Sequence, residues 1–236
     1  MLGNLGSSKT TNAVRHMVKD TSGLTTYSNI RVKDIPNVVF KDNDSLIKEE
    51  MVMKGKKEKI KYSFNRDYWL SLKKPLNIVW DEAHFMADSR EAMSQMNKAV
   101  TEFISMARRI IGFDKHGYGD FILITQRIST LDIRIRSLVT NIIYFILHWI
   151  FVCDNCTFMA RWNSEKPNLK LCPSCNKRTL TSQNLISQRF FFMSIEKMNE
   201  WMVMGVKTYY KKDYITDISD YFVYFDTLQY LKAEKK

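Results

Sequence analysis

The chain has 236 residues, enough for one large domain with at most a small appendage. Hydrophobic residues are 45% and charged residues 26%, and 14 Phe, 11 Tyr and 5 Trp supply surface to bury, which excludes a disordered or low-complexity chain. The net charge of +11 favours a polyanionic partner, most simply nucleic acid, although a Lys-rich surface also follows from genome composition alone.

A Gly-containing loop, Gly3 to Ser8, opens the chain, and a helical stretch follows over 9–20. Leu24 to Ile30 and Val38 to Phe40 read as strands. Residues 41–66 are polar and lysine-rich, and Lys54 to Lys61 carries five lysines against one Glu, as in an exposed hairpin or loop. Leu76 to Trp80 is a continuous apolar run, which suits a strand buried on both faces. Met93, Met96, Val100, Phe103, Ile104, Ala107 and Ile111 recur at helical spacing and predict a helix over 90–111, its stripe serving as core packing. Gly112 to Gly119 ends it, and Phe121 to Thr125 is a second buried strand, followed by polar Gln126.

Asn141 to Val152 and Arg189 to Ile195 are further β-rich runs that flank four cysteines, placing those at the tip of a hairpin-like excursion. Helix returns near 195–203, and the aromatic tail over 221–230 is expected to pack back on the domain. Strands alternating with helices predict an α/β fold with a mainly parallel sheet. No window is apolar for the ~20 residues that a membrane helix needs. No signal peptide is visible, so a cytoplasmic location is the default expectation, the host cytoplasm for a viral protein.

Gly3-Asn-Leu-Gly6-Ser-Ser8-Lys9-Thr10 nearly matches the phosphate loop G-x-x-x-x-G-K-[ST]. In such a loop backbone N–H groups converge on phosphate oxygens, with the next helix N-terminus aimed at the charge. Lys9 would reach the β- and γ-phosphates of ATP and Thr10 would ligate Mg²⁺. Ser8 replaces the last glycine, a position whose backbone geometry serine enters less easily. Read alone, the segment is also compatible with an ordinary glycine turn before a helix.

The strand ending in Asp81-Glu82 supplies the second element. Asp81 would hold Mg²⁺, largely through water, and Glu82 would act as general base toward the attacking water. The plainer alternative is an acidic helix start after a strand. Gln126, at the end of its own strand, is placed to sense the γ-phosphate. Three such elements in this order point to a P-loop ATPase.

Cys153-x-x-Cys156 and Cys172-x-x-Cys175 stand 15 residues apart and use every cysteine in the chain. Two such knuckles suit a tetrahedral structural Zn²⁺, with no open position for catalysis. Arg161, Lys166, Lys170, Lys177 and Arg178 decorate this ribbon, and Trp162 offers a base-stacking surface.

The series Gly3–Thr10, Ile78–His84, Ala107–Arg109, Ile122–Gln126 and Asp132–Val139 resembles the FtsK–HerA superfamily of DNA-pumping ATPases, most closely its zonular-occludens-toxin-like branch of phage and viral proteins. The Ser28-Asn29-Ile30 segment and the late Tyr224–Thr227 are similar to that branch too. The resemblance implies a RecA-like fold and a homo-oligomeric ring with nucleotide between subunits. It also implies an arginine finger from the neighbour, Arg136 or, close behind, Arg134. The expected division is an ATPase core over 1–150, a zinc-ribbon insertion over 151–188 and the rest of the core over 189–236.

DNA is the expected partner, with capsid or assembly proteins beside it. The implied activity is an ATP-driven motor that translocates or packages viral or mobile-element DNA. The alternatives are an assembly or export ATPase acting on coat protein, and a nucleotide-dead zinc-ribbon module that binds DNA or a partner. One feature departs from the pattern: only Met1-Leu2 precede Gly3, where a strand of ~5 apolar residues is expected. The first strand of the sheet therefore reads as missing, and the reading frame is expected to extend upstream of Met1.

Overall fold

The structure is a computed structural model that describes residues 1–3, 7–54, 57–83, 95–114, 117–126, 128, 131, 133–156, 158–163, 171–177 and 180–226. Strand β1 is Leu2–Gly3, and helix α1, Lys9–Lys19, follows the loop. Strands β2 (Thr25–Ser28) and β3 (Val38–Phe40) come next. The lysine-rich segment is a hairpin of β4 (Ile47–Lys54) and β5 (Lys57–Phe64), with Lys54 facing Lys57 across the turn. Helix α2 (Arg66–Ser71) leads to β6 (Leu76–Trp80), buried at all five positions, as its unbroken apolar run requires.

The single helix expected over 90–111 is two: α3 (Gln95–Ser105) and α4 (Ala107–Ile111). Met106, at φ −91° and ψ 4°, has the bridge-region backbone that separates them. Residues 90–94 of that expectation lie outside the described residues. Gly112 ends α4 at φ 73°, a conformation open to a residue without Cβ. A two-residue ladder, β7 (Phe113–Asp114) and β8 (Gly117–Tyr118), precedes β9 (Phe121–Leu123) and the short helix α5 (Ile133–Arg136). Strands β10 (Ile142–Cys153), β11 (Met159–Asn163) and β12 (Leu180–Phe192) build the excursion, then helix α6 (Ile195–Met204) and β13 (Lys211–Ile215) close the chain with a 3₁₀ turn over Ile218–Tyr224.

Two sheets meet at Met1. One runs β3-β2-β6-β9 and is parallel throughout. The other runs β1-β10-β12-β13, with β1 parallel to β10 and the rest antiparallel. Met1 nitrogen donates to Leu123 O at 2.6 Å and Thr125 N donates to Met1 O at 3.1 Å, the ladder pattern of a parallel pair. Where the sequence leaves the first strand reading as missing, Leu2–Gly3 forms a strand of two residues beside β10. Residues 1–3 lie between β9 and β10. Below Met1, a cavity of about 970 Å³ lies between Phe121–Ile122 and Ile142–Ile143.

Alternation along β6 sends Leu76, Ile78 and Trp80 to one face and Val79 to the other. On the first face Trp69 and Phe103 pack against Trp80, with the Trp69 and Trp80 rings 6.2 Å apart edge to face. On the second, Ala13, Val14 and Met17 of α1 meet Tyr221 and Phe225, so the aromatic tail does return to the domain as far as it is described. Asp217 fixes that return by accepting from Arg15 Nε at 3.0 Å and Lys19 Nζ at 2.8 Å. A third cluster joins Leu2, Ile142, Phe190, Phe192 and Met198 under α6.

Candidate functional site

The C-terminal ends of β1, β6 and β9 lie side by side, and each delivers a polar group. Gly3 leaves β1 at φ 151°, and a Cβ there would stand 2.5 Å from Ser7 Oγ and 2.6 Å from Phe145 O. Only glycine fits where the chain turns from strand into loop. Lys9 is buried, and its ammonium donates to Gly3 O at 2.9 Å and reaches Ser7 Oγ at 3.4 Å. The loop therefore wraps its own lysine. Burial pushes the Lys9 pKa down, and Glu82 and Asp81 oppose that shift.

Asp81 closes β6 and is 2% exposed. Its Oδ2 accepts from Thr10 Oγ1 at 2.6 Å and its Oδ1 from the Glu82 N–H at 2.7 Å. Burial raises its pKa to about 6, helped by the charge of Glu82 and resisted by the Thr10 bond. Glu82 has φ 51°, so the chain turns sharply after the strand. Gln126 Nε2 donates to Glu82 Oε1 at 3.3 Å, which joins the segment after β9 to that carboxylate. A hydroxyl and a carboxylate meeting at 2.6 Å form a pair of hard oxygen donors, the ligand type that Mg²⁺ prefers.

Asn29 is a part of the site for which the sequence suggests no role. Its amide accepts from Asp81 N at 2.7 Å and donates to Asp81 O at 2.9 Å, acting as a strand partner beyond the end of β2. It also donates to Asn43 Oδ1 at 3.1 Å, which takes Trp80 Nε1 at 3.0 Å. A lone Asn after a short strand carries no periodic signal. Its position in the Ser28-Asn29-Ile30 segment is the one hint.

Ser8 has φ 66° and ψ 22°, the left-handed region that a non-glycine residue enters at about 1–2 kcal/mol. Its hydroxyl lies 2.9 Å from Ser187 Oγ. Arg136 ends α5, and its buried Nε has no hydrogen-bond partner among the described residues. Gly6, His84, Lys166, Lys170 and Arg178 lie outside the described residues, as do the side chains of Arg134, Arg161 and Trp162.

The four cysteines converge at the far end of β10, as their spacing predicts. All four Sγ atoms lie within 4.8 Å of one another. Cys153 and Cys175 are 3.7 Å apart, and Cys156 and Cys172 3.6 Å. Thiolates at about 2.3 Å from a tetrahedral Zn²⁺ stand about 3.8 Å from each other, so the cage fits that ion. Each knuckle turns back on its own backbone: Cys153 N donates to Phe158 O at 2.8 Å and Cys172 N to Lys177 O at 3.0 Å.

The sequence profile described as zonular occludens toxin (Zot) matches residues 1–147. Among curated proteins no sequence matches significantly. Among solved structures, the crystal structure of the N-terminal domain of zonular occludens toxin from Neisseria meningitidis is similar, with a TM-score of 0.50 and 14% identity. The likeness covers 95% of this chain and 97% of that one, and it bears on the fold alone.

Proposed function

The chain belongs to the zonular occludens toxin family of P-loop ATPases, and we propose that it is an Mg²⁺-dependent ATPase that translocates or packages viral or mobile-element DNA. The observation that carries this reading is the meeting of Lys9, Thr10, Asp81, Glu82 and Gln126 at the ends of three neighbouring strands. Lys9 is the cation for the phosphates. Thr10 and Asp81 are the oxygens for Mg²⁺, and Gly3, Gly6 and Ser8 shape the loop. Glu82 is the general base, with Gln126 holding it and orienting the attacking water. Bound Mg²⁺ would supply charge neutralisation on the transferred phosphoryl group.

The strand order, with the phosphate-loop strand separated from the Asp81 strand by the sensor strand, supports a RecA-like core over 1–150 and 189–236. In a ring, Arg136 would complete the neighbour's site. The cysteine cluster is assigned one structural Zn²⁺ in a ribbon over 151–188. No described helix is long and apolar enough to cross a membrane. The +11 charge supports DNA as cargo.

Turnover measured with and without DNA tests the cargo. Severalfold stimulation by DNA is the expected result. Stimulation by coat protein and none by DNA would move the assignment to an assembly ATPase. A nucleotide-dead ribbon module requires no turnover under any condition, and the wrapped Lys9 and the Thr10–Asp81 contact speak against it.

A further inference from the structure

Ser187 is fully buried in β12, the strand that returns from the cysteine ribbon, and lies 179 positions from Ser8 in sequence. Asn12 Nδ2 donates to Ser187 Oγ at 2.9 Å and to Ser8 O at 2.8 Å. It also lies 3.1 Å from Ser8 Oγ, which in turn contacts Ser7 O. Each hydroxyl has a single proton. The four protons serve four of these contacts when the chain runs Asn12 amide to Ser8 O and Ser187 hydroxyl, Ser187 hydroxyl to Ser8 hydroxyl, and Ser8 hydroxyl to Ser7 O, which leaves the 3.1 Å approach of Asn12 Nδ2 to Ser8 Oγ as a shared contact. A buried hydroxyl is tolerated only when it has such partners.

We propose that Ser187 is a positioning residue for the phosphate loop: it clamps the Ser8 side chain and so holds the left-handed backbone that a glycine would adopt unaided. Lys9 and the first turn of α1 follow Ser8 directly, and Asn12 N donates to Ser8 O at 2.9 Å. The Ser8 backbone therefore sets where the phosphate-facing N–H groups point. The proposal rests on the P-loop ATPase reading and adds to it a dependence of nucleotide affinity on a strand outside the loop.

The test compares the parent, Ser187→Ala, Ser8→Gly and the double variant, each as the full chain. Affinity for a fluorescent Mg²⁺-ADP analogue and amide exchange over Lys9–Asn12 without nucleotide are read together. Ser187→Ala alone is expected to weaken binding on the order of tenfold and to speed exchange, since one buried hydrogen bond is lost. With Gly at position 8 the same change should alter either readout by no more than about threefold, because glycine needs no clamp.

Equal losses in both backgrounds, or no loss in either, would overturn the proposal. Should Ser187→Ala fail to fold, Ser187→Cys, of similar size and a weak donor, replaces it with the same expected pattern. A parent that binds no nucleotide would refute the ATPase reading, and the exchange arm would still decide the role of Ser187.

Discussion

Asp81 shows how the site sets chemistry against stability. Its carboxyl is buried and its pKa stands near 6, above the ordinary value of 3.8, chiefly through desolvation. The folded form thus binds the proton more tightly than the unfolded chain. The stability from this group is fully present below about pH 4 and is lost as pH rises through about 6. Asp81→Asn should therefore stabilise the nucleotide-free protein at pH 7.5 by about 2–3 kcal/mol, and by little at pH 4. Thermal melts across that range check this, and an Asn variant no more stable than the parent at pH 7.5 would contradict it.

Gly3 is the second residue of this kind. Its φ of 151° and the 2.6 Å approach to Phe145 O leave no room for a methyl group. Gly3→Ala should cost about 1–3 kcal/mol and weaken nucleotide binding, read by melting and by titration.

At the scale of elements, the strand between β9 and β10 was not legible: the sequence reads it as missing, and Leu2–Gly3 supplies a short one. A run of two residues before Gly3 gives no period to read, and only the tertiary bonds to Leu123 and Thr125 make Met1 part of a sheet. The strand of five apolar residues at Leu76–Trp80 was legible because burial on both faces leaves no polar position. The break at Met106 was not, since helical spacing continues across it.

The convergence of the four cysteines was legible, because the spacing of two C-x-x-C pairs is a local property. The Ser8–Ser187 contact was out of reach, for nothing local marks one serine among many as its partner. Metal analysis should find one Zn²⁺ per chain. Cys172→Ser should lose that zinc and loosen the ribbon, with the parallel sheet still protected from amide exchange. Iron in place of zinc, or no metal, would contradict the assignment.

At the scale of the molecule, the +11 charge suits an anionic partner, and the buried Arg136 Nε has no hydrogen-bond partner among the described residues, as the proposed finger would allow. A finger acting between subunits gives a distinctive mixing result. Arg136→Ala keeps its own phosphate loop, and Glu82→Gln keeps its own arginine. A mixture of the two should turn over ATP faster than the sum of the separate variants, because some interfaces combine an intact base with an intact arginine. A mixture equal to that sum would place the arginine in its own subunit's site or outside catalysis.

The assignment of the site as a whole rests on separable roles for Lys9 and Glu82, one in holding phosphate and one in activating water. Mg²⁺-ATP binding and turnover, measured side by side in the parent, Lys9→Ala and Glu82→Gln, test that separation most directly. Glu82→Gln should bind ATP like the parent and lose about 10²–10⁴-fold in turnover, since the base is gone and the cradle remains. Lys9→Ala should bind at least tenfold more weakly, because the charge-assisted contact to phosphate is removed. A parent that turns over ATP no faster than either variant would contradict the account.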